Sequence, residues 1–394
     1  MASDTKAVPT GENQTEIEAT VVSGLESMAR EEIREKFGVR AEICRGRVWF
    51  LLPADRVKEI FQLQSVDNLF VVVERFAAAE FVGDEALDLE WIYRMAARIN
   101  WDRGVRAWTD IRAPTRTLEE CYALMGSAGD QVSKENVEKL PKFRVTCNRS
   151  GKEHKFTSMQ AASKFGAGVN DFFHWQVDMK NFDMNIIANI ADSKMDILIA
   201  LTTSSLHHRN LVEFGPTSLR STIAYCMLRL CRVKPGEIIV DPLCGGGSIP
   251  IEAARNFSDS FVLCADHHEL AIPRCRSNIN HNSLEGRTDL IQWDSRNMPL
   301  RNATIDVLVT DLPFGKRMGC KRDNRCLYRE LLQSMARASV PGTARAVLLT
   351  QDRRSLTLAV SQCHKWWRAG YTVACNIGGL DAIIMVCHRT SEPY

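Results

Sequence analysis

The chain has 394 residues, of which 45% are hydrophobic and 25% are charged, a composition typical of a globular protein with two or three domains. No apolar run approaches about 18 residues and the start of the chain is polar, so we predict neither a membrane span nor a signal peptide. The net charge of +2 excludes a general attraction for nucleic acid, and any basic surface must be local.

The 13 cysteines are spread along the chain, and none forms a Cys-x-x-Cys pair. Without metal-ligand spacing, this usage predicts reduced, mostly buried thiols in a cytoplasmic or nuclear protein. His207 and His208 are adjacent, but no companion ligands follow at a suitable spacing. We therefore predict no metal site.

The N-terminal part begins with a polar segment, 1–14, which we predict to be a disordered tail. Strand and helix patterns follow in the order strand, helix, strand, strand, helix, strand. These elements are Ile17–Val22, Leu25–Phe37, Ala41–Ile43, Arg47–Leu52, Ala54–Leu63 and Leu69–Val73. The order predicts a ferredoxin-like α+β domain, which we extend over 15–98 to include a helix at 85–98 with Leu87 on its apolar face. That fold alone implies no function.

A second α+β domain is predicted over 99–205, with a short strand at Arg106–Ile111 and a polar surface insertion at 113–140. A strand at Phe143–Cys147 then opens a basic stretch. Its cationic side chains are Lys142, Arg144, Arg149, Lys152 and Lys155. Two hypotheses remain open for this stretch, because charge runs are usually solvated faces and less often RNA-binding surfaces.

After a linker at 206–217, helices alternate with apolar runs from residue 218 onward. This alternation predicts a mostly parallel sheet covered on both faces, and thus a Rossmann-like domain over 218–394. The last two runs are joined only by a short link containing Gly378 and Gly379. Because this link is too short for a crossover helix, we predict an antiparallel hairpin at one edge.

The first apolar run of this domain leads into Asp241-Pro-Leu-Cys-Gly-Gly-Gly247 and then a helix. Glycines let a ligand approach the backbone, and the helix start offers unpaired amide donors. No Lys-Ser/Thr pair follows, which excludes a Walker P-loop. Asp266 and Asp294 follow the next two runs. Three carboxylates suit a cationic, ribose-bearing ligand such as S-adenosyl-L-methionine, although the last two are also explained as helix N-caps.

The fourth run leads into Asp311-Leu-Pro-Phe-Gly315. An amino group conjugated to an aromatic ring is a poor nucleophile, because its lone pair is delocalised. Asp311 and a main-chain carbonyl can accept the two N–H hydrogens, Phe314 can stack on the base, and Pro313 stiffens the loop. The loop therefore predicts methylation of an exocyclic base amine, with an ordinary turn as the alternative.

Several motifs resemble those of the THUMP-domain guanine-N2 methyltransferases. Residues 143–149 and 156–158 resemble the THUMP RNA-binding domain, and 208–210, 214–222, 241–247 and 311–319 resemble the methyltransferase half. The resemblance implies a THUMP domain over 99–205. It also implies a class I methyltransferase domain over 218–394, with a mostly parallel seven-stranded sheet and an antiparallel edge hairpin.

The resemblance also implies roles for individual residues. Asp311, Pro313 and Phe314 would act on a guanine of tRNA. The cofactor S-adenosyl-L-methionine would be held by Thr217, Arg220, Ser221, Asp241, Cys244, Gly245, Gly247, Asp266, Asp294 and Asp311. Gly246 replaces a Thr or small residue of the family, a departure that we expect to cost little. Members of this family work with a small zinc-binding activator subunit.

Four alternatives remain for the function. The substrate could be another RNA, such as small nuclear RNA. A protein glutamine-amide methyltransferase would use the same loop, but the N-terminal domains argue against it. A catalytically silent RNA-binding scaffold does not explain the intact glycine loop. Uracil carbon methylation needs a nucleophilic cysteine in the loop, whereas Cys320 lies six residues beyond Phe314.

Overall fold

The computed structural model describes residues 13–127, 133–152, 154–314 and 321–394, and the side chains of 321–323 are outside this description. Most of the predicted tail, 1–12, lies outside the described residues, and its last residue, Gln14, already belongs to the first strand. The described chain folds around two seven-stranded sheets. None of the described helices is long and apolar enough to span a membrane.

The strands of the N-terminal sheet are β1 Gln14–Thr20, β2 Ala41–Cys44, β3 Arg47–Pro53, β4 Asn68–Phe76, β5 Phe143–Ser150, β6 Met184–Ala191 and β7 Lys194–Ala200. The helices are α1 Glu26–Phe37, α2 Glu85–Met95, α3 Asp102–Arg112, α4 Leu118–Cys121, α5 Lys134–Glu138 and α6 Ser158–Phe173, with 3₁₀ segments at Ala54–Gln62 and Leu206–His208. Local chemistry sets several ends: α1 stops at Gly38, whose φ of 71° is left-handed, and Thr157 caps α6.

The ferredoxin-like arrangement is confirmed. Strands β2, β3, β1 and β4 lie in that order and are all antiparallel, as two split βαβ units require. The second predicted helix is the 3₁₀ segment. The sheet then continues, because β4 pairs with β7 and the order runs on through β6 to β5. The two predicted N-terminal domains therefore share one sheet.

Three details of the sequence interpretation are wrong. Arg106–Ile111 is part of helix α3, because Val105 and Trp108 bury at helical spacing. In α2, Leu87 is exposed, and Leu89 and Ile92 pack inward instead. The segment predicted as a surface insertion, 113–140, contains α4 and α5 and also supplies core residues. Its buried side chains among the described residues are Cys121, Leu124 and Leu140.

The strands of the C-terminal sheet are β8 Ile238–Asp241, β9 Phe261–Asp266, β10 Thr288–Gln292, β11 Val307–Asp311, β12 Arg345–Thr350, β13 Trp367–Ile377 and β14 Leu380–Arg389. The helices are α7 Ser221–Cys231, α8 Ser248–Asn256, α9 Ala271–His281, α10 Lys321–Ala338 and α11 Arg353–Gln362, with a 3₁₀ segment at Ser295–Asn297.

The sheet order is β10-β9-β8-β11-β12-β14-β13, and its pairs are parallel except those of β14. This confirms the predicted Rossmann-like sheet and its antiparallel edge hairpin. The chain winds outward from β8 to β10 and then returns to β11 on the other side of β8. Ligands of such sheets bind beyond the carboxyl ends of the strands at this switch point.

The N-terminal part contacts strand β13 and helix α7 through backbone and polar groups. Asn376 in β13 donates its amide hydrogen to the Ser23 carbonyl at 2.9 Å. A Cβ atom at Gly24 would lie 1.9 Å from the Ala374 carbonyl oxygen, so only glycine fits there. Arg229 of α7 forms a two-pronged ion pair with Glu35 of α1 at 2.7 Å. The N-terminal part is thus attached to the C-terminal sheet and its helix α7.

Candidate active site

The glycine loop between β8 and α8 holds a compact turn. Gly245 and Gly247 have φ values of 53° and 91°, which favour glycine. A Cβ atom at Gly247 would lie 2.8 Å from the Cys275 Sγ atom, so this glycine also permits close packing on α9. At Gly246 a Cβ atom would meet nothing closer than 3.5 Å. The loop therefore leaves room for the larger residue that the family usually has at 246.

Asp241 stabilises the glycine loop through its side-chain hydrogen bonds. Its Oδ1 atom accepts hydrogen bonds from the Leu243 amide at 3.1 Å and from the Thr310 hydroxyl at 2.7 Å. The side chain is buried, and this burial raises its pKa well above the usual range. Because Thr310 precedes Asp311, one carboxyl group connects the glycine loop with the end of β11. Direct contact of Asp241 with the cofactor remains a prediction.

Asp266, at the end of β9, faces the glycine loop. Its Oδ2 atom accepts a hydrogen bond from the Gly245 amide at 2.9 Å, and its Oδ1 atom accepts one from the His268 amide at 2.8 Å. Each carboxylate oxygen retains a second lone pair, so ribose hydroxyls can still donate to it. The backbone therefore orients Asp266 for the predicted role.

Asp294 follows β10 and is half-buried. It caps the 3₁₀ segment by accepting the Arg296 amide at 3.0 Å, and it also pairs with the Arg296 guanidinium at 2.6 Å. This ion pair holds the pKa of the Asp294 carboxyl below its usual range. The N-cap alternative is thus present in the structure, and the adenine contact remains a prediction.

Asp311 ends β11 beside the glycine loop. Its Oδ1 atom is buried and has no hydrogen-bond partner among the described residues. Burial raises the pKa of Asp311 to about 7. An unsatisfied buried carboxyl oxygen is costly for folding alone, at about 1–3 kcal/mol, and is typical of a functional site.

The loop after Asp311 is anchored from helix α10. The Pro313 carbonyl accepts hydrogen bonds from the Tyr328 hydroxyl at 2.6 Å and the Asn324 amide at 3.0 Å. Tyr328 also contacts the Thr350 hydroxyl at 2.9 Å. Phe314 is half-buried beside them. The rest of the matched motif, 315–319, and Cys320 lie outside the described residues.

Sequence reasoning missed Asn324 and Tyr328. Both are buried, and they stand four residues apart, which places them on one face of α10. Two polar side chains on an otherwise apolar helical face were the available signal. Their partner could not be identified from sequence, because it is a main-chain carbonyl of a distant loop.

The predicted residues before α7 fasten the linker in this structure. Arg220 pairs with Asp67, the residue before β4, at 3.0 Å, and the Ser221 hydroxyl donates to the Arg209 carbonyl at 2.8 Å. Thr217 is exposed. Arg209 itself forms a two-pronged ion pair with the buried Glu252 of α8 at 2.9–3.1 Å. Cofactor contacts of Thr217, Arg220 and Ser221 remain a prediction.

The basic stretch is divided between two faces of edge strand β5. Arg144 and Arg149 are five residues apart, so their side chains point to opposite faces. Arg144 lies over the Phe182 ring at 3.9 Å and donates to Asn185. Arg149 is half-buried, and Lys152 and Lys155 are exposed in the loop that follows. The five predicted cations therefore do not form one flat patch.

Two family models match the chain. Residues 116–199 match the THUMP domain, and 209–382 match the RMKL-like methyltransferase domain. The human tRNA (guanine(6)-N(2))-methyltransferase THUMP3 is 38% identical, over 96% of this chain and 89% of its own length. A tRNA (guanine(6)-N2)-methyltransferase of Archaeoglobus fulgidus is 24% identical, over 87% and 85%. Mouse U6 snRNA (guanine-N(2))-methyltransferase THUMPD2 is 30% identical, over 62% and 46%.

Solved structures share the fold. TrmN from Thermus thermophilus superposes with a TM-score of 0.75 at 22% identity, over 95% of this chain and 99% of that one. SMU.472, determined with bound SAH, has a TM-score of 0.70 at 16% identity, over 98% and 100%. The fold and the glycine loop define a class I methyltransferase. The chain belongs to the family of THUMP-domain guanine-N2 methyltransferases, which confirms the predicted family and enzyme class.

The residues at the switch point fit the cofactor of this class, S-adenosyl-L-methionine. The oriented Asp266 carboxylate suits vicinal ribose hydroxyls, and the glycine loop presents its backbone to the ligand. Carboxyl oxygens at three strand ends can accept hydrogen bonds from the amine and hydroxyl groups of this cofactor, whereas a pyrophosphate offers only acceptors. The groups at this site therefore agree with the cofactor that was predicted from the sequence.

We expect Asp266→Ala to weaken S-adenosyl-L-methionine binding, because it removes charge-assisted hydrogen bonds to the ribose. The loss is about 1.5–3 kcal/mol at most for each bond. Calorimetric titration of the folded variant measures it. Asp289→Ala, at an exposed position of the adjacent strand β10, is the matched control and should bind normally. Unchanged affinity in Asp266→Ala would contradict the assignment of Asp266 to the ribose hydroxyls.

Proposed function

We propose that this chain transfers the methyl group of S-adenosyl-L-methionine to the exocyclic N2 amine of a guanosine in tRNA. The observation that carries the proposal is the buried Asp311 Oδ1 atom at the switch point, beside the glycine loop, which has no hydrogen-bond partner among the described residues. The names of the human and Archaeoglobus relatives, both tRNA (guanine(6)-N2)-methyltransferases that align over most of this chain, support the substrate class.

The amine has two N–H hydrogens, and the loop offers two acceptors for them. Asp311 supplies one through its Oδ1 atom, to which no described residue donates a hydrogen bond. Pro313 is less suitable for the second, because its carbonyl already accepts from Tyr328 and Asn324. The Leu312 carbonyl accepts no hydrogen bond from the described residues, so we assign it the second role. Phe314 then stacks on the base and holds it in the plane that these acceptors define.

S-adenosyl-L-methionine supplies an electrophilic methyl group when bound. The chain's own contribution is to localise the nitrogen lone pair and to stabilise the positive charge that develops on the amine. Asp311 does this best as a carboxylate. Tyr328 and Asn324 hold Pro313 in place before the substrate arrives, so little reorganisation is needed during transfer.

We expect Asp311→Ala to slow methyl transfer by about 100- to 1000-fold, since it removes a preorganised electrostatic partner. Asp311→Asn should keep the shape but remain slow. Phe314→Ala should instead weaken base placement by about 1–3 kcal/mol. Single-turnover methylation with saturating cofactor and tRNA measures these effects, and Asp259→Ala, at an exposed position in the loop before β9, is the control. A wild-type rate in Asp311→Ala would refute the catalytic assignment.

The raised pKa of Asp311 gives a second expectation. Below about pH 7 the carboxyl is protonated and loses its charge, so the single-turnover rate should rise as pH increases through about 7 and then level off. The Asp311→Asn variant has no titrating group at this position and should lose this dependence. A wild-type profile that is flat between pH 5.5 and 8.5, roughly one to two units either side of the pKa, would contradict the role of the ionised form.

We propose that the basic stretch contacts tRNA phosphates. Replacing Arg149, Lys152 and Lys155 by Ala should weaken tRNA binding. The slope of log affinity against log salt concentration should fall in magnitude by roughly one for each lost phosphate contact. Arg144 lies on the other face of β5, so the separate variant Arg144→Ala shows whether that face also binds tRNA. Cofactor affinity should stay the same. Three exposed lysines elsewhere form the control: Lys58, Lys234 and Lys365. An unchanged slope would show that the basic stretch is a solvent-exposed surface that does not contact tRNA.

A small zinc-binding activator subunit is part of the proposal by family resemblance. Strand β10 supports it, because among the described strands it pairs only with β9, and Ile291 on it is 39% exposed. Ile291→Lys should prevent co-purification with such a subunit, whereas Leu380→Lys in the opposite edge hairpin should not. Full tRNA methylation by the chain alone would refute the need for a partner.

A second substrate, small nuclear RNA, stays open because the mouse THUMPD2 relative is named for U6 snRNA. That similarity covers 62% of this chain, against 96% for the human THUMP3 relative, so tRNA is favoured. Parallel single-turnover assays with tRNA and U6 snRNA distinguish them. A location in the cytoplasm or nucleus remains a prediction.

A further inference from the structure

Three buried thiols meet beneath the glycine loop. Cys244 lies in the loop, Cys264 in β9 and Cys275 in α9, and their Sγ atoms are all within 4.8 Å of one another. The Sγ atoms of Cys244 and Cys275 are 3.9 Å apart. Cys264 also contacts the Asp289 carbonyl at 3.3 Å. Thiols of Cys264 and Cys275 have no part in the proposed methyl transfer.

We propose that Cys244, Cys264 and Cys275 form a three-thiolate site for a soft, thiophilic metal ion of the zinc class. The sequence predicted no metal, because these cysteines come from a loop, a strand and a helix whose spacing along the chain matches no metal motif. The fold brings them together at the carboxyl side of the sheet. The inference does not rest on the proposed methyl transfer.

The geometry fits such an ion. An ion at the centre of a triangle with sides of at most 4.8 Å lies no more than about 2.8 Å from each sulfur, against about 2.3 Å for a zinc–thiolate bond. Side-chain adjustments of roughly 0.5 Å close the difference. On binding, three S–H bonds are replaced by three metal–sulfur bonds, and three protons leave to solvent. Sulfur ligands select soft ions over Mg²⁺ or Ca²⁺.

The position links this site to the cofactor pocket. Cys244 precedes Gly245, Cys264 lies two residues before Asp266, and Gly247 packs directly on Cys275. Because the Gly245 amide donates to Asp266, the three thiols fasten the same loop and strand that orient the ribose acceptor. Metal binding and cofactor binding are therefore expected to change each other's affinity by the same factor.

The test is a Cd²⁺ titration of the full chain in a phosphine-reduced buffer. The thiols of Cys44 and Cys326 are exposed and Cys320 lies outside the described residues, so all three are first replaced by Ser. We expect one equivalent of Cd²⁺ to produce sulfur-to-metal charge-transfer absorption, and Zn²⁺ but not Mg²⁺ to compete with it. Cys275→Ala should lower the affinity by about 100-fold or more. Cys387→Ala, also buried in this domain, is the control and should bind normally.

Circular dichroism first establishes that each variant is folded. If Cys275→Ala does not fold, Cys244→Ala in the glycine loop replaces it in the titration. The starting protein is the chain in which Cys44, Cys320 and Cys326 are replaced by Ser. If it shows no charge-transfer absorption, or if these variants bind Cd²⁺ with the same affinity as it does, the proposal is overturned and the three thiols serve only in core packing. The readout is metal binding alone, so such a result leaves the proposed methyl transfer untouched.

Discussion

The active site depends on the way two carboxyl groups connect neighbouring strand ends. Asp241 accepts from Thr310 and so joins the end of β8 to the residue before Asp311. Asp266 accepts from Gly245 and so joins the end of β9 to the glycine loop. Parallel strands alone place these ends side by side, but the hydrogen bonds fix their distances. The glycine loop and the Asp311 loop are therefore parts of one hydrogen-bonded unit.

The N-terminal sheet contributes to this unit through the linker. Asp67 accepts hydrogen bonds from Arg220 at 3.0 Å and from Thr222 at 2.7 Å, both at the start of α7. On the other side, Arg209 is held by Glu252 of α8, the helix that follows the glycine loop. A chain that must position a large RNA against a small reactive centre needs such fixed geometry, since a shift of about 1 Å can cost about 100-fold in rate.

Much of this arrangement could be predicted from the sequence. The ferredoxin-like order, the parallel sheet and the edge hairpin each follow from local periodicity and loop length, and the glycine loop and the Asp311 loop are contiguous motifs. The segment Arg106–Ile111 was misassigned because a short apolar run fits both periods, and only the burial of Val105 and Trp108 decides between them.

Contacts between distant segments could not be predicted. The anchoring of Pro313 by Tyr328 and the meeting of Cys244 with Cys275 depend on how α10 and α9 pack, which no local pattern records. The division of the basic stretch is different. It follows from strand alternation between Arg144 and Arg149, and it could not be predicted because β5 continues to Ser150, three residues beyond the predicted strand Phe143–Cys147.

The most direct test of the central claim is nucleoside mass spectrometry of unmodified tRNA after incubation with the chain, S-adenosyl-L-methionine and, where required, its activator subunit. We expect N2-methylguanosine with the wild-type chain and none when Asp311→Ala replaces it. A methyl group on another atom or base, or N2-methylguanosine formed equally well by Asp311→Ala, would contradict it.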